Sequence, residues 1–129
     1  MNDEPLPGQR AAAMAHAAAE AVRGLNHAAG GEGGIGRPSA AYDILGALSL
    51  TASRLGPALA EITRYLDRAL AGGILGHDLG DDPSFAVGAA GTLLDDARLR
   101  AASLAGDLSA AQVQVAALNA LASLKEEQP

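Results

Sequence analysis

Cysteine and tryptophan are absent from this 129-residue chain, and its aromatic complement is one Phe and two Tyr. Without cysteine there is no disulfide framework, no thiol nucleophile, no thiolate zinc site and no iron–sulfur cluster. The scarcity of aromatic and β-branched residues argues against an all-β domain, whose strands draw on both. Lysine occurs once, at Lys125, among nine basic residues set against fifteen acidic ones. A net charge of −6 argues against a nucleic-acid partner, because phosphate binding needs many neutralising contacts. No apolar run approaches the eighteen residues of a membrane span, since Asp, Arg or Glu interrupts each one at helical intervals. A membrane-lying helix would also want bulky aromatics opposite its basic residues. The amino-terminal Met1-Asn2-Asp3-Glu4-Pro5 lacks the basic-then-apolar pattern of a signal peptide. A soluble, cytoplasmic chain is expected, with export by a signal-less route left open.

What is present is small and helix-favouring: 31 Ala and 19 Leu account for most of the apolar content. At 12.8 kDa the chain suffices for one domain that hides roughly two-thirds of its unfolded surface. Residues 1–8 hold two Pro and two acids and read as a flexible tail. Residues 9–29 place Met14, Ala18, Val22 and Leu25 on one face of an N-terminal helix. Residues 30–38, GGEGGIGRP, form a Gly-rich linker. Residues 39–124 read as a helical hairpin, and 125–129 as a second flexible tail.

In the first arm of the hairpin, Ser39 is a candidate cap, and Gly72-Gly73 closes the helix. Ala41, Leu45, Leu48, Ala52, Leu55, Leu59, Ile62, Leu66 and Ala69 recur at alternating spacings of four and three, an unbroken heptad seam. Gly56-Pro57 interrupts the backbone hydrogen bonding to Ser53, which predicts one helix kinked there. Asp82-Pro83 is a strong helix start. The second arm carries its own seam: Val87, Ala90, Leu94, Ala97, Ala101, Leu104, Leu108, Ala111, Val115, Leu118 and Ala122. A capping box at Ser109–Gln112 would split that arm, but the phase of the seam favours a single helix. Two arms of roughly 50 to 60 Å joined by about eleven residues make a long antiparallel hairpin.

The expected fold is therefore all-α: a hairpin kinked near Gly56-Pro57 plus an N-terminal helix. Ile44, Leu50, Tyr65, Leu70, Leu93, Leu99, Val113, Leu121 and Leu124 fall outside the seams and are the candidate interface, too many apolar groups for a free-standing hairpin. A second copy would cover them in a four-helix bundle. The alternative is a monomeric three-helix bundle closed by the N-terminal helix.

Residues that could carry chemistry are few and scattered. His16, His27 and His77 are far apart, and none has a second His at the i, i+4 spacing of a helical metal site. His77, Asp78, Asp81 and Asp82 gather one imidazole and three carboxylates at the tip, where a polar turn is the simpler reading and a weak divalent-cation site the alternative. Glu20–Arg23, Glu61–Arg64, Asp95–Arg98 and Asp96–Arg100 read as ion pairs on helix surfaces. The inward Glu and E-x-x-H elements of a di-iron bundle are missing. Neither glycine cluster continues into a phosphate-binding loop, and no G-x-S-x-G is present. No catalytic residue, cofactor, metal or small-molecule substrate is expected, and the partners expected are a second copy of the chain, another helical protein, or both.

The segments Tyr42-Asp-Ile-Leu-Gly-Ala-Leu, Arg54-Leu-Gly-Pro-Ala-Leu and Tyr65-Leu-Asp-Arg-Ala-Leu, with the turn ending Asp81-Asp82-Pro83, resemble small uncharacterised Ala/Leu-rich helical proteins of actinobacteria, often encoded on mobile elements. The resemblance covers about residues 40–124 and implies a helical interaction protein with no assigned activity. At the level of fold the hairpin is also similar to the WXG-type substrates of type VII secretion, which implies an effector-like alternative. Its turn has no Trp-x-Gly, and Gly46 and Ala69 stand four residues after Tyr42 and Tyr65, where that secretion signal has an acid.

Overall fold

The computed structural model describes residues 6–119 and 121. It contains three helices, α1 (Gln9–Gly30), α2 (Pro38–Ala71) and α3 (Pro83–Ala116), and no strand among the described residues. The chain divides into two units, residues 1–37 and 38–129.

The first unit is built on α1. The Gln9 side chain accepts a hydrogen bond from the Leu6 N–H at 2.8 Å, and this tightens the turn that enters the helix. None of its residues is buried, and only Leu25 and Ala29 are half-buried. Ten of its alanines and its lack of internal Pro explain why it is helical by propensity rather than by packing. The glycines that follow turn the chain sharply. Gly34 sits at φ +29°, where a Cβ would meet the Ala29 carbonyl oxygen at 2.7 Å.

In the second unit α2 packs against α3. Helix α2 begins at Pro38, two residues earlier than a Ser39 cap would place its first helical residue, so Ser39 lies inside the first turn. Proline fits the first helical position because its φ is already helical and an N–H is not needed there. The helix passes through Pro57 as a single element. Its end is a Schellman turn: the Ile74 N–H donates to the Ala69 carbonyl, the Gly73 N–H donates to the Leu70 carbonyl, and Gly73 is left-handed at φ +69°. Helix α3 starts as predicted, with the Asp82 carboxylate accepting from the Ser84 N–H at 2.9 Å and Pro83 following the cap.

Two features of the predicted seams are corrected. The contact line on α2 runs through Ala52, Gly56, Leu59, Thr63 and Leu66, while Leu55 and Ile62 are exposed. On α3 it runs through Ala101, Ala105, Leu108, Gln112 and Val115, while Leu104 and Ala111 are exposed. The cause is periodicity. A seven-residue repeat faces its partner only at 3.5 residues per turn, and a helix nearer 3.6 drifts by about 20° per heptad. The contact line slides to the next residue within each arm.

The regular part of α3 also stops at Ala116, where the Ala117 N–H donates to Gln114 and the Leu118 N–H to Val115. These tight closing bonds satisfy the last carbonyls. Leu118 therefore lies beyond the helix, and Ala122 lies outside the described residues. The Ser109–Gln112 capping box does not form, because α3 is continuous through both residues.

The predicted compact core is a thin line. Among the described residues only Ala52, Ala69, Val87 and Ala101 are buried, all of them small.

Candidate interaction surface

Two hydrogen bonds set the register of the hairpin. The Ser49 hydroxyl donates to the Ala105 carbonyl at 2.8 Å, and the Gln112 amide donates to the Tyr42 carbonyl at 3.1 Å. Seven residues forward on α2 match seven residues back on α3, which is an antiparallel pair. The next step sets Gly56 level with Arg98, and these two do line one groove together with Pro57, Asp95, Leu99 and Ala102. The following step sets Thr63 level with Gly91. Both hydrogen bonds and the groove lie on one lateral face, where the Asp95–Arg98 pair interrupts an otherwise apolar lining.

Gln112 was legible only as a helix cap. Its actual role depends on Gly46, where a Cβ would stand 2.5 Å from the Gln112 amide nitrogen. The missing side chain leaves room for the amide to cross between helices.

The other lateral face has a different character. Residues three, four and seven apart share a helix face. On α2 this flank carries Ile44, Leu48, Leu55 and Ile62, and on α3 it carries Leu93, Ala97 and Leu104. The register puts Ile62 within one residue of the level of Leu93, and Leu104 within one of Thr51. Leu55, Ile62, Leu93 and Leu104 are 44%, 47%, 69% and 47% exposed. No charged residue stands in the α2 rows of this face. On α3 Arg100 does, near Leu55, with Asp96 and Asp107 on the same edge.

The nine candidate interface residues do not share one face. Ile44 (half-buried) and Leu93 lie on the apolar flank, with Tyr65 at its outer edge. Leu70 is half-buried at the α2–α3 contact. Leu50 is exposed on the side of α2 that points away from the other arm, while Leu99, at the rim of the groove, and Val113 are exposed on the opposite flank from Leu93. Leu121 is exposed beyond α3, and Leu124 lies outside the described residues. Leu55, Ile62 and Leu104 are added to the surface because the contact line bypassed them. A signal for this was present in the sequence: each is followed by a smaller residue, Gly56, Thr63 or Ala105, that allows closer helix approach.

At the tip, the His77 ring Nδ1 accepts from the Leu79 N–H at 3.1 Å while Asp82 caps α3. Among the described residues no three His, Asp or Glu side chains come together to hold a metal, so the geometry does not support the tip site. Leu66, Leu75, Ala86, Val87 and Ala90 line a small apolar hollow of about 280 Å³ beside His77.

Electrostatics are confined to the surface. Three of the predicted ion pairs form, Arg23–Glu20 at 3.2 Å, Arg98–Asp95 at 3.5 Å, and Arg64–Glu61. Asp96–Arg100 is not among the ion pairs of the described residues. The hydrogen bond and charge of Arg64 hold the Glu61 carboxyl below its usual pKa. The backbone hydrogen bond from Ser84 does the same for Asp82. No helix among the described residues is long and apolar enough to cross a membrane.

No protein-family model matches the sequence, and comparison with curated proteins and with solved structures finds no match.

Proposed function

We propose that this protein is a non-enzymatic helical interaction module, an adaptor or accessory factor that acts through the apolar lateral face of its hairpin. One observation carries the reading: Leu55, Ile62, Leu93 and Leu104 share that face and remain 44 to 69% exposed, whereas the residues between the helices are buried or half-buried. Contiguous apolar surface of more than a few hundred Å² is uncommon on a monomer and marks a contact site. The opposite face also exposes Leu99 and Val113, but there the Asp95–Arg98 pair and the two interhelical hydrogen bonds break the apolar surface.

The test is site-specific photocrosslinking in cells producing the full chain, with a benzophenone side chain in place of Leu104, Leu93 or, as the opposite-face control, Ser53. Discrete protein adducts from Leu104 and Leu93 but not from Ser53 support the reading. Equal labelling from all three positions, or none from any, refutes it.

A further inference from the structure

Building on the proposed interaction role, we infer that the occupant of the apolar face is a second copy of this chain, laid across it so that α2 of one copy covers α3 of the other. Area is the first argument. Leu55, Ile62, Leu93 and Leu104 leave an apolar patch on the order of 400 Å². The half-buried Ile44 and Leu48 and the intervening alanines extend it towards the roughly 800 Å² that each partner contributes to a standard interface. The hairpin has only four buried residues among those described, so a second layer would supply the apolar core that the single layer lacks.

Charge is the second argument. Each chain carries −6, which opposes association unless the meeting surfaces are nearly neutral or complementary. The α2 rows of this face are uncharged, and on their border Arg54 and Glu61, seven residues apart, offset one another. The corresponding α3 edge carries Asp96 and Asp107 with Arg100 between them, a net acidic row. A two-fold axis along the hairpin sets α2 over α3 of the copy, so that each short charged α3 row meets an uncharged α2 row and like-charge repulsion at the contact is small. It is an isologous contact that closes at two copies.

Sedimentation equilibrium of the full chain from low to high micromolar concentration tests this, alongside Ile62→Glu and Leu93→Glu on the apolar face and Leu99→Glu as the control pointing away from it. Circular dichroism checks the helix content of each variant. The expected result is a species of twice the 12.8 kDa chain mass. Each apolar-face glutamate should weaken its dissociation constant about tenfold or more, while Leu99→Glu leaves it unchanged. Leu93, at 69% exposed, tolerates the charge in a monomer, so loss of the dimer in that variant is not a loss of fold. A chain that stays monomeric throughout overturns the inference, as does a dimer that Leu99→Glu breaks and Leu93→Glu spares. The crosslinks keep the two proposals apart. Adducts at Leu104 whose mass is not twice that of the chain, with a monomer in sedimentation, reject self-association and retain the interaction role. Absence of any adduct rejects the role itself.

Discussion

Gly46 and Gln112 behave as one unit. In Gly46→Ala the new methyl group displaces the Gln112 amide, which is the far end of a flexible chain and can move away. The lost hydrogen bond costs about 0.5 to 1.5 kcal/mol, and alanine regains about 0.8 to 1 kcal/mol of helix propensity. The single variant should therefore unfold in urea close to the wild type. Gln112→Ala alone should be destabilised by up to about 1 kcal/mol, since the Tyr42 carbonyl keeps its place in the helix ladder. Adding Gly46→Ala to that background should recover about 1 kcal/mol. A double-mutant cycle by urea titration reads the coupling. Gly73 is a simpler case. At φ +69° a Cβ strains the backbone, and Gly73→Ala should cost about 1 kcal/mol by the same measurement. Much at this scale was legible beforehand: Gly73, Asp82 and Pro83 announce themselves because caps and turns depend on local backbone chemistry. Gln112 was not legible, because its partner is seventy residues away.

For single elements, the ends of α3 and the middle of α2 make opposite predictions. Asp82 holds the first turn of α3 as a carboxylate, and its folded pKa lies below the ordinary value. Its contribution is therefore complete above the unfolded pKa of about 3.9 and is lost as pH falls through the folded value. Asp82→Ala should lower the melting temperature near neutral pH, and the gap from wild type should close below about pH 4, as followed by circular dichroism. Pro57 lies in the interior of α2 and is exposed, so Pro57→Ala restores a backbone donor towards Ser53 and removes a ring clash. A gain of about 1 to 3 kcal/mol is expected in urea unfolding. The continuity of α2 through Pro57, and of α3 through Ser109–Gln112, agrees with the phase of their apolar residues. The Ser39 cap and the extension of α3 past Ala116 do not, because helix ends are decided by which group satisfies the last few backbone atoms.

At the scale of the whole molecule, closeness between α2 and α3 depends on small residues. Ala52 and Ala101 are 3% and 7% exposed, with no space beside them for a larger side chain. Ala101→Leu should separate the helices and cost about 1 to 3 kcal/mol, measured by urea denaturation at a protein concentration held constant across variants. The same close approach is why Leu55, Ile62 and Leu104 are left outside. Where Gly56, Thr63 and Ala105 take the contact positions, the leucine-sized neighbours Leu55, Ile62 and Leu104 turn to one lateral face, while Leu59, Leu66 and Leu108 stay in the contact.

Composition and spacing were enough to determine that this chain is helical, where the hairpin turns, and that both of its arms carry apolar stripes. Those properties follow from propensity, caps and periodicity within a few residues of one another. Which of two neighbouring columns meets the other arm was decided only in three dimensions. A shift of one residue costs nothing locally, yet it exchanges Leu55 for Gly56 and Leu104 for Ala105 at the contact. The lateral face, and with it the proposed site, exists because the pairing of α2 with α3 selected the smaller column.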